Sequence, residues 1–317
     1  MRLLKSKTWW RKCRYVIRQA LAYFHAYTHF QGWQSYTWYA GKEVKLAGFG
    51  KRAKHRELFC ADPFLFHYQD ANWLFYETVN KAGKGMLGVL KEIDGAWVDQ
   101  GIVLEEPFHL SYPQVFEHEG RVYMIPESCD FGKGNVSLYT TDTFPFGWHK
   151  VQTLIDKPFA DATILNHEGH WYMACYTIPP HETAELWYAP SLLGPWERHP
   201  QWRNINQSNR LRRCGGSYIR RGKELYRVAQ DCNGPLYGKR LFKVKVNKIS
   251  STEYDEGIAT LLHDRTKPPY GYCHTYNEVM VDGRRLCVVD VHYDSWQNPI
   301  CVIGNVIKNL KRKLLHR

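Results

Sequence analysis

The stretch YPQVFEHEGRVYMIPES, residues 112–128, is written again about fifty residues later as ADATILNHEGHWYMACYT, residues 160–177. Each copy passes from an apolar segment through a turn built on His-Glu-Gly into an apolar-aromatic segment, and closes on polar residues. Apolar runs on either side of a short Gly-containing turn describe an antiparallel hairpin. Three further copies fit the same template: ADPFLFHYQDANWLFYE (61–77), GGSYIRRGKELYRVAQD (215–231) and CHTYNEVMVDGRRLCVVDV (273–291). Pro63, Pro113, Ala162, Gly216 and Asn277 take equivalent places, at intervals of 50, 49, 54 and 61 residues.

The filler between copies repeats as well. A short alternating segment such as NVSLYTT or AELWYAP leads to a turn before Trp: Gly95-Ala96-Trp97, Phe146-Gly147-Trp148 or Gly194-Pro195-Trp196. Each period therefore offers four short strands, which is the pattern of a propeller blade rather than of a helical solenoid. Five copies predict an all-β, five-bladed β-propeller. A parallel β-helix is the structural competitor, with shorter and more regular rungs. The fifth copy lacks a fourth strand, and residues 36–46, YTWYAGKEVKL, are expected to supply it and close the ring.

Charge divides the chain into three. Residues 1–42 hold eight Lys or Arg and residues 305–317 hold five, with no acid in either, against a net charge of +12 for all 317 residues. A near-neutral domain with two basic ends follows, and nucleic-acid binding, which spreads cations over a folded face, is not expected. Trp9, Trp10, Val16, Ile17, Leu21 and Phe24 recur at helical spacing, with Arg11, Arg14 and Arg18 on the other side. The expected organisation is a basic amphipathic helix in 1–35, the propeller in 36–304 and a basic tail in 305–317. Such ends are suited to an anionic membrane surface. Nine cysteines without a CxxC pair read as reduced thiols, and no secretory signal or apolar run of about 18 residues is present. The expectation is a cytoplasmic protein, peripheral on the inner face of the membrane.

In a propeller the first strand of each blade lines the channel and the second returns beside it. The residue opening the first and the residue closing the second then meet at one mouth. The openers are Asp62, Ser111-Tyr112, Asp161, Cys214-Gly215 and His274-Thr275; the closers are Glu77, Glu127, Tyr176-Thr177, Gln230-Asp231 and Asp290 to His292. Asp62, Glu77, Glu127, Asp161 and Asp231 would thus share a funnel with His274. Gathered carboxylates repel, so some must be protonated or paired with a cation. Such a set, with aromatic walls, suits acid–base chemistry on a sugar. Capping of turns and pairing with Arg are the ordinary alternatives for each residue. Tyr112 and Gln230 are placed among the substrate contacts. Arg210, Arg212 and Arg213 precede the fourth inner strand and suit a phosphate or an acidic sugar, and Tyr237 lies on a Gly-Pro turn over the same mouth. No GxxxxGK[ST], HExxH or GxSxG motif occurs, and no metal site or cofactor is predicted.

ADPFLF with WLFYE, YPQVF with YMIPES, ADATILNHEGHWYM, and LYRVAQDC with a later HTYN resemble the N-terminal domain family of plant glucosamine inositolphosphorylceramide transferases and its bacterial relatives. That family is similar in turn to the five-bladed propellers of arabinanase- and xylosidase-type glycosidases. The resemblance implies a carbohydrate-active propeller in glycolipid or surface-polysaccharide assembly. It also implies a base at Asp62 and a pKa-setting carboxylate at Asp161. The fourth opener is Gly215, where the glycosidase pattern would place the acid, so that role passes to Glu127. The expected partners are a sugar donor, with a nucleotide sugar as the activated form and Arg210 at its phosphate, and a glycan or glycolipid acceptor. The leading expectation is a glycosyltransferase; a glycoside hydrolase and a non-catalytic glycan-binding propeller remain alternatives.

Overall fold

The structure, a computed structural model, describes residues 29–47, 59–80, 83–129, 132–178, 181–233 and 238–296. Two strands that open the chain, β1 (His29–Tyr39) and β2 (Lys45–Ala47), are completed only by the last ones. The first blade is β3 (Ala61–Tyr68), β4 (Ala71–Val79), β5 (Gly85–Ile93) and β6 (Ala96–Leu104). The second is β7 (Ser111–His118), β8 (Arg121–Glu127), β9 (Val136–Thr143) and β10 (Phe146–Ile155). The third is β11 (Phe159–His167), β12 (His170–Thr177), β13 (Ala184–Ala189) and β14 (Glu197–Arg198). Each is an antiparallel meander in chain order. In the fourth blade the inner strand is broken into β15 (Arg213–Cys214) and β16 (Ile219–Arg221), which both pair with β17 (Glu224–Gln230), followed by β18 (Arg240–Ile249) and β19 (Tyr254–Asp264). The fifth runs β20 (Tyr276–Val281), β21 (Arg284–Trp296), β1, β2. The five-bladed propeller expected from the repeat is the fold observed.

Closure differs from the expectation in one respect. Two strands from the start of the chain, not one, complete the fifth blade, and β1 begins at His29 rather than near residue 36. Alternation explains the longer strand: Trp33, Ser35 and Thr37 are buried while Gln34, Tyr36 and Trp38 are half-buried, the period of a strand covered on one face. The helical stripe over residues 9–28 and the tail at 305–317 lie outside the described residues. By compactness the chain divides into a unit of residues 33–292, which holds the blades, and a unit joining residues 1–32 with 293–317. Only the ends of β1 and β21 are described in the latter.

The His-Glu-Gly turns take the conformation that hairpins of this length require. Glu119-Gly120 (φ +50°, +73°), Glu168-Gly169 (+49°, +79°) and Asp282-Gly283 (+48°, +72°) have positive φ at both central residues, as a type I′ turn demands. Five apolar clusters then fill the five interfaces between neighbouring blades. Phe75 and Met124 lie in the first, Ile125 and Met173 in the second, Ala174 and Leu225 in the third, Val228 and Val289 in the fourth, and Leu74 and Val288 in the fifth.

Side chains on the inner strands stitch the blades around the channel. Gln114 of β7 accepts from the Ile164 N–H (2.8 Å) and donates to the Ile164 carbonyl (3.0 Å) on β11. Asn277 of β20 donates to the Pro63 carbonyl on β3 (2.6 Å) and accepts from the Ser217 N–H of the fourth blade (2.8 Å). Asn277→Ala would leave both backbone groups without this partner. A loss on the order of 3 kcal/mol is expected, read as a lowered urea midpoint; an unchanged midpoint would show that the two bonds do not hold the ring.

Candidate active site

Three inner strands open with the same irregularity. Pairing passes from Ala61↔Glu77 to Phe64↔Phe75, from Ser111↔Glu127 to Gln114↔Ile125, and from Ala160↔Tyr176 to Thr163↔Ala174, so each inner strand carries one extra residue. In that bulge Asp62, Tyr112 and Asp161 sit at φ +47°, +50° and +48°, a conformation that turns the side chain out of the strand's alternation. Asp62 and Asp161 thereby face the channel mouth. The closers Glu77 and Glu127 stand across from Ala61 and Ser111 at the same level. All four carboxylates line one cavity of about 190 Å³. His109, Arg213, Gln230 and His274 share it, and Trp33 and Phe59 supply aromatic surface.

Two of the acids around the mouth are clamps between blades. Asp290 of β21 accepts the backbone N–H groups of His274 (3.0 Å) and Thr275 (2.9 Å) in its own blade and of Asp62 (3.0 Å) in the next. Glu127 of β8 accepts the N–H of Asp161 (2.8 Å) in the following blade. The bulged residues, strained by their positive φ, are thus held from the neighbouring sheet.

The electrostatics follow from burial and these pairings. Asp62 accepts from the Thr275 hydroxyl (2.5 Å) and lies 3.6 Å from His274 Nδ1. Burial pushes its carboxyl up to about 7; Glu77, Asp161 and Asp290 push the same way and His274 opposes them. His274 Nδ1 lies 2.5 Å from Asp290, and its ring is stacked on Trp33 at 3.7 Å. Burial alone would lower this imidazole, but Asp290 and then Asp62 outweigh it and raise it to about 9. Burial, followed by the charge of Asp161, holds Glu127 well above the usual carboxylate range. Asp161 is bound by Arg213 through Nε and a terminal nitrogen (3.4 Å), and by Gln230 Nε2 (2.7 Å). The Arg213 guanidinium lies 5.4 Å from the centre of the Tyr176 ring. His109 Nδ1 accepts the Gly85 N–H (3.0 Å), which leaves its Nε2 proton facing Glu77 at 3.3 Å. The cavity therefore holds two carboxyls raised above their usual range, Asp62 and Glu127, beside the Asp161–Arg213 and Asp290–His274 pairs.

Asp62, Asp161, Glu127, Glu77, Gln230 and His274 converge as the sequence led one to expect. Tyr112 does not line the cavity. It occupies the bulge position, but its ring is fully buried between blades, with its hydroxyl 2.9 Å from Thr163 Oγ1 and accepting the Gly216 N–H at 2.6 Å. Gly216 itself is required by its φ of +137° and by the Tyr276 carbonyl, from which a Cβ would stand 1.8 Å. Asp231 is buried against Arg240 (3.4 Å) and caps its own turn through the Asn233 N–H (2.9 Å). Arg212 is engaged by the Glu182 carbonyl and carboxylate, and Arg210 is exposed. The guanidinium that reaches the cavity is Arg213. Tyr237 lies outside the described residues. His109 and Trp33 were not legible as site residues, since both lie outside the hairpin repeats. Asp62, His274 and Asp290 bring three ligand-type atoms within 4.8 Å of one another, and His274 Nδ1 and Asp290 face each other at 2.5 Å.

Residues 32–288 match the family described as glucosamine inositolphosphorylceramide transferase 1, N-terminal. The chain belongs to this family. It is similar to the glucosamine inositolphosphorylceramide transferase 1 of Arabidopsis thaliana, 38% identical over 207 residues, and to that of Oryza sativa subsp. japonica, 37% identical over 209 residues. Each match takes in 62% of this chain and 27% of the relative, so the chain spans about a quarter of the length of these curated proteins. Among solved structures it is similar to a β-xylosidase (TM-score 0.54, 11% identity, 76% of this chain and 93% of that one). It is also similar to a family 117 glycoside hydrolase from Zobellia galactanivorans (TM-score 0.53, 13% identity, 86% and 98%). At such identities the likeness is one of fold.

The raised imidazole carries a pH signature. Its folded value of about 9 stands above the ordinary 6.5, so the stability it contributes is full below about pH 6.5 and is lost as pH rises through 9. His274→Gln is expected to lower the melting temperature at pH 6 by several degrees, with the gap to the parent protein closing toward pH 10. A gap of constant size across thermal scans at pH 6–10 would exclude a charged His274.

Proposed function

We propose that the chain is a carbohydrate-active propeller that serves a glycosyl-transfer step in glycolipid or surface-polysaccharide assembly, with Asp62 as the base. The observation that carries this reading is the convergence of Asp62, held at about 7, with Glu127, held well above the usual carboxylate range by burial, in one small cavity with aromatic surface. A base is most effective when its pKa lies near the working pH, and separated carboxylate pKa values assign separate roles. A volume of about 190 Å³ is below the several hundred Å³ of sites for larger ligands, and is suited to a single ring. In the step proposed, Asp62 takes the proton of an acceptor hydroxyl as its oxygen bonds to the anomeric carbon of the donor sugar and the donor's leaving group departs with the bonding pair. Asp161, paired with Arg213, and Glu127, whose burial disfavours its charged form, keep the cavity from accumulating charge. The names of the curated relatives support transfer as the reaction class; the donor sugar and acceptor of this chain are not carried over from them.

The protein is further placed at the cytoplasmic face of an anionic membrane. The support is sequence alone: thirteen cations and no acid within residues 1–42 and 305–317, each worth about 1 kcal/mol near such a surface. Co-sedimentation with phosphatidylglycerol vesicles, absent with phosphatidylcholine and lost at high salt, is the expected behaviour; equal binding to both lipids would refute it. For catalysis, Asp62→Asn in membranes supplied with activated donor is expected to reduce glycolipid product by about 10²–10⁴-fold, followed by mass spectrometry. Retention of full transfer would remove Asp62 as base, and release of free sugar with no acceptor consumed would mark a hydrolase.

A further inference from the structure

Donors and acceptors are unequally spent around the cavity. Arg213 and Gln230 donate to Asp161, the Thr275 hydroxyl donates to Asp62, and His274 Nδ1 faces Asp290 at 2.5 Å. The backbone N–H groups of Asp62 and Asp161 end on Asp290 and Glu127, and His109 Nε2 faces Glu77. Each of these donors already serves a carboxylate. A phosphate or carboxylate ligand is recognised by such donors, above all by paired guanidinium groups and clustered N–H groups. Here it would have to compete for them with acids that are covalently fixed in place.

An anion would also bring its charge beside Asp62 and Glu77, within a buried space where such repulsion is weakly screened. Burial first, and then the neighbouring acids, already raise Asp62 and Glu127. A sugar hydroxyl is different, because it donates one hydrogen bond and accepts others, and a carboxylate accepts several. An acceptor-rich cavity matches a ligand rich in O–H. Arg210, exposed, and Arg212, engaged by Glu182, do not bring a phosphate clamp to the mouth.

We propose that the central cavity takes an uncharged sugar ring through its hydroxyl groups and excludes uronic acids and the phosphates of an activated donor. It is then the acceptor ring that lies beside Asp62, while the phosphate-bearing part of the donor stays outside the cavity. This rests on the reading of the cavity as a sugar site.

The test is ligand-observed NMR and calorimetry on the full chain with methyl glycosides of glucose, galactose and mannose, the matching methyl uronosides, UDP and inorganic phosphate. At least one neutral glycoside is expected to bind, its uronoside about tenfold or more weakly, and neither UDP nor phosphate to displace it. Glu77→Gln removes an ionisable group while keeping shape, and in this variant the uronoside is expected to recover toward the neutral glycoside. Displacement of the glycoside by UDP or phosphate, equal affinity for the uronoside, or no glycoside binding at all would each overturn the proposal. These outcomes are separable from failure of the catalytic reading, which is decided by transfer in Asp62→Asn: a base can be lost without the charge preference, and the preference without the base.

Discussion

A carboxylate that reaches from one blade and grips the backbone of the next is the interaction on which the rest depends. Asp290 takes the Asp62 N–H and Glu127 takes the Asp161 N–H. Both gripped residues sit at positive φ without being glycine, a conformation that costs about 1–2 kcal/mol for an ordinary residue. The clamp offsets that cost and fixes the direction in which the acid points. Packing between blades supplies the bulk of the stability, but apolar clusters are indifferent to an ångström of slip. A charge-assisted hydrogen bond to a single N–H is not.

The same clamps make the chemistry a property of the ring rather than of any blade. Asp62 owes its raised pKa to burial, to Glu77 of its own blade and to Asp161 and Asp290 of other sheets, and the opposing cation, His274, owes its own state to Asp290. Glu127 is both a clamp and a titrating group, since burial and then the charge of Asp161 behind its own N–H raise its carboxyl. Structural and chemical roles therefore fall on the same side chains, and a substitution at Glu127 or Asp290 changes both at once.

Much of this was legible in the sequence. The hairpin recurs with its turn and its polar ends, so blade number, strand order and the meeting of Asp62, Glu77, Glu127 and Asp161 follow from the repeat alone. The misassignments have one physical source. A bulge shifts side chains by one position, and period-two alternation does not reveal whether a bulged residue will point to the mouth or into the core. Tyr112 shares the backbone of Asp62 and Asp161 but packs inward, where its ring is buried and its hydroxyl is satisfied by Gly216. The choice among Arg210, Arg212 and Arg213 had the same character: one step in register delivers Arg213, not Arg212, to Asp161. Trp33 and His109 carry no repeat signal, because one comes from the strand that closes the ring and the other from a connection.

The fifth blade is assembled from both ends of the described chain, β1 and β2 lying beside β20 and β21. Trp33, whose ring stacks on His274, precedes His274 and Asp290 by 241 and 257 residues in the chain. Without the last blade there is no imidazole beside Asp62 and no grip on its N–H. Glu127, Asp161 and Arg213 engage one another across the second, third and fourth blades, so it is the Asp62 half of the cavity that depends on the ring being closed.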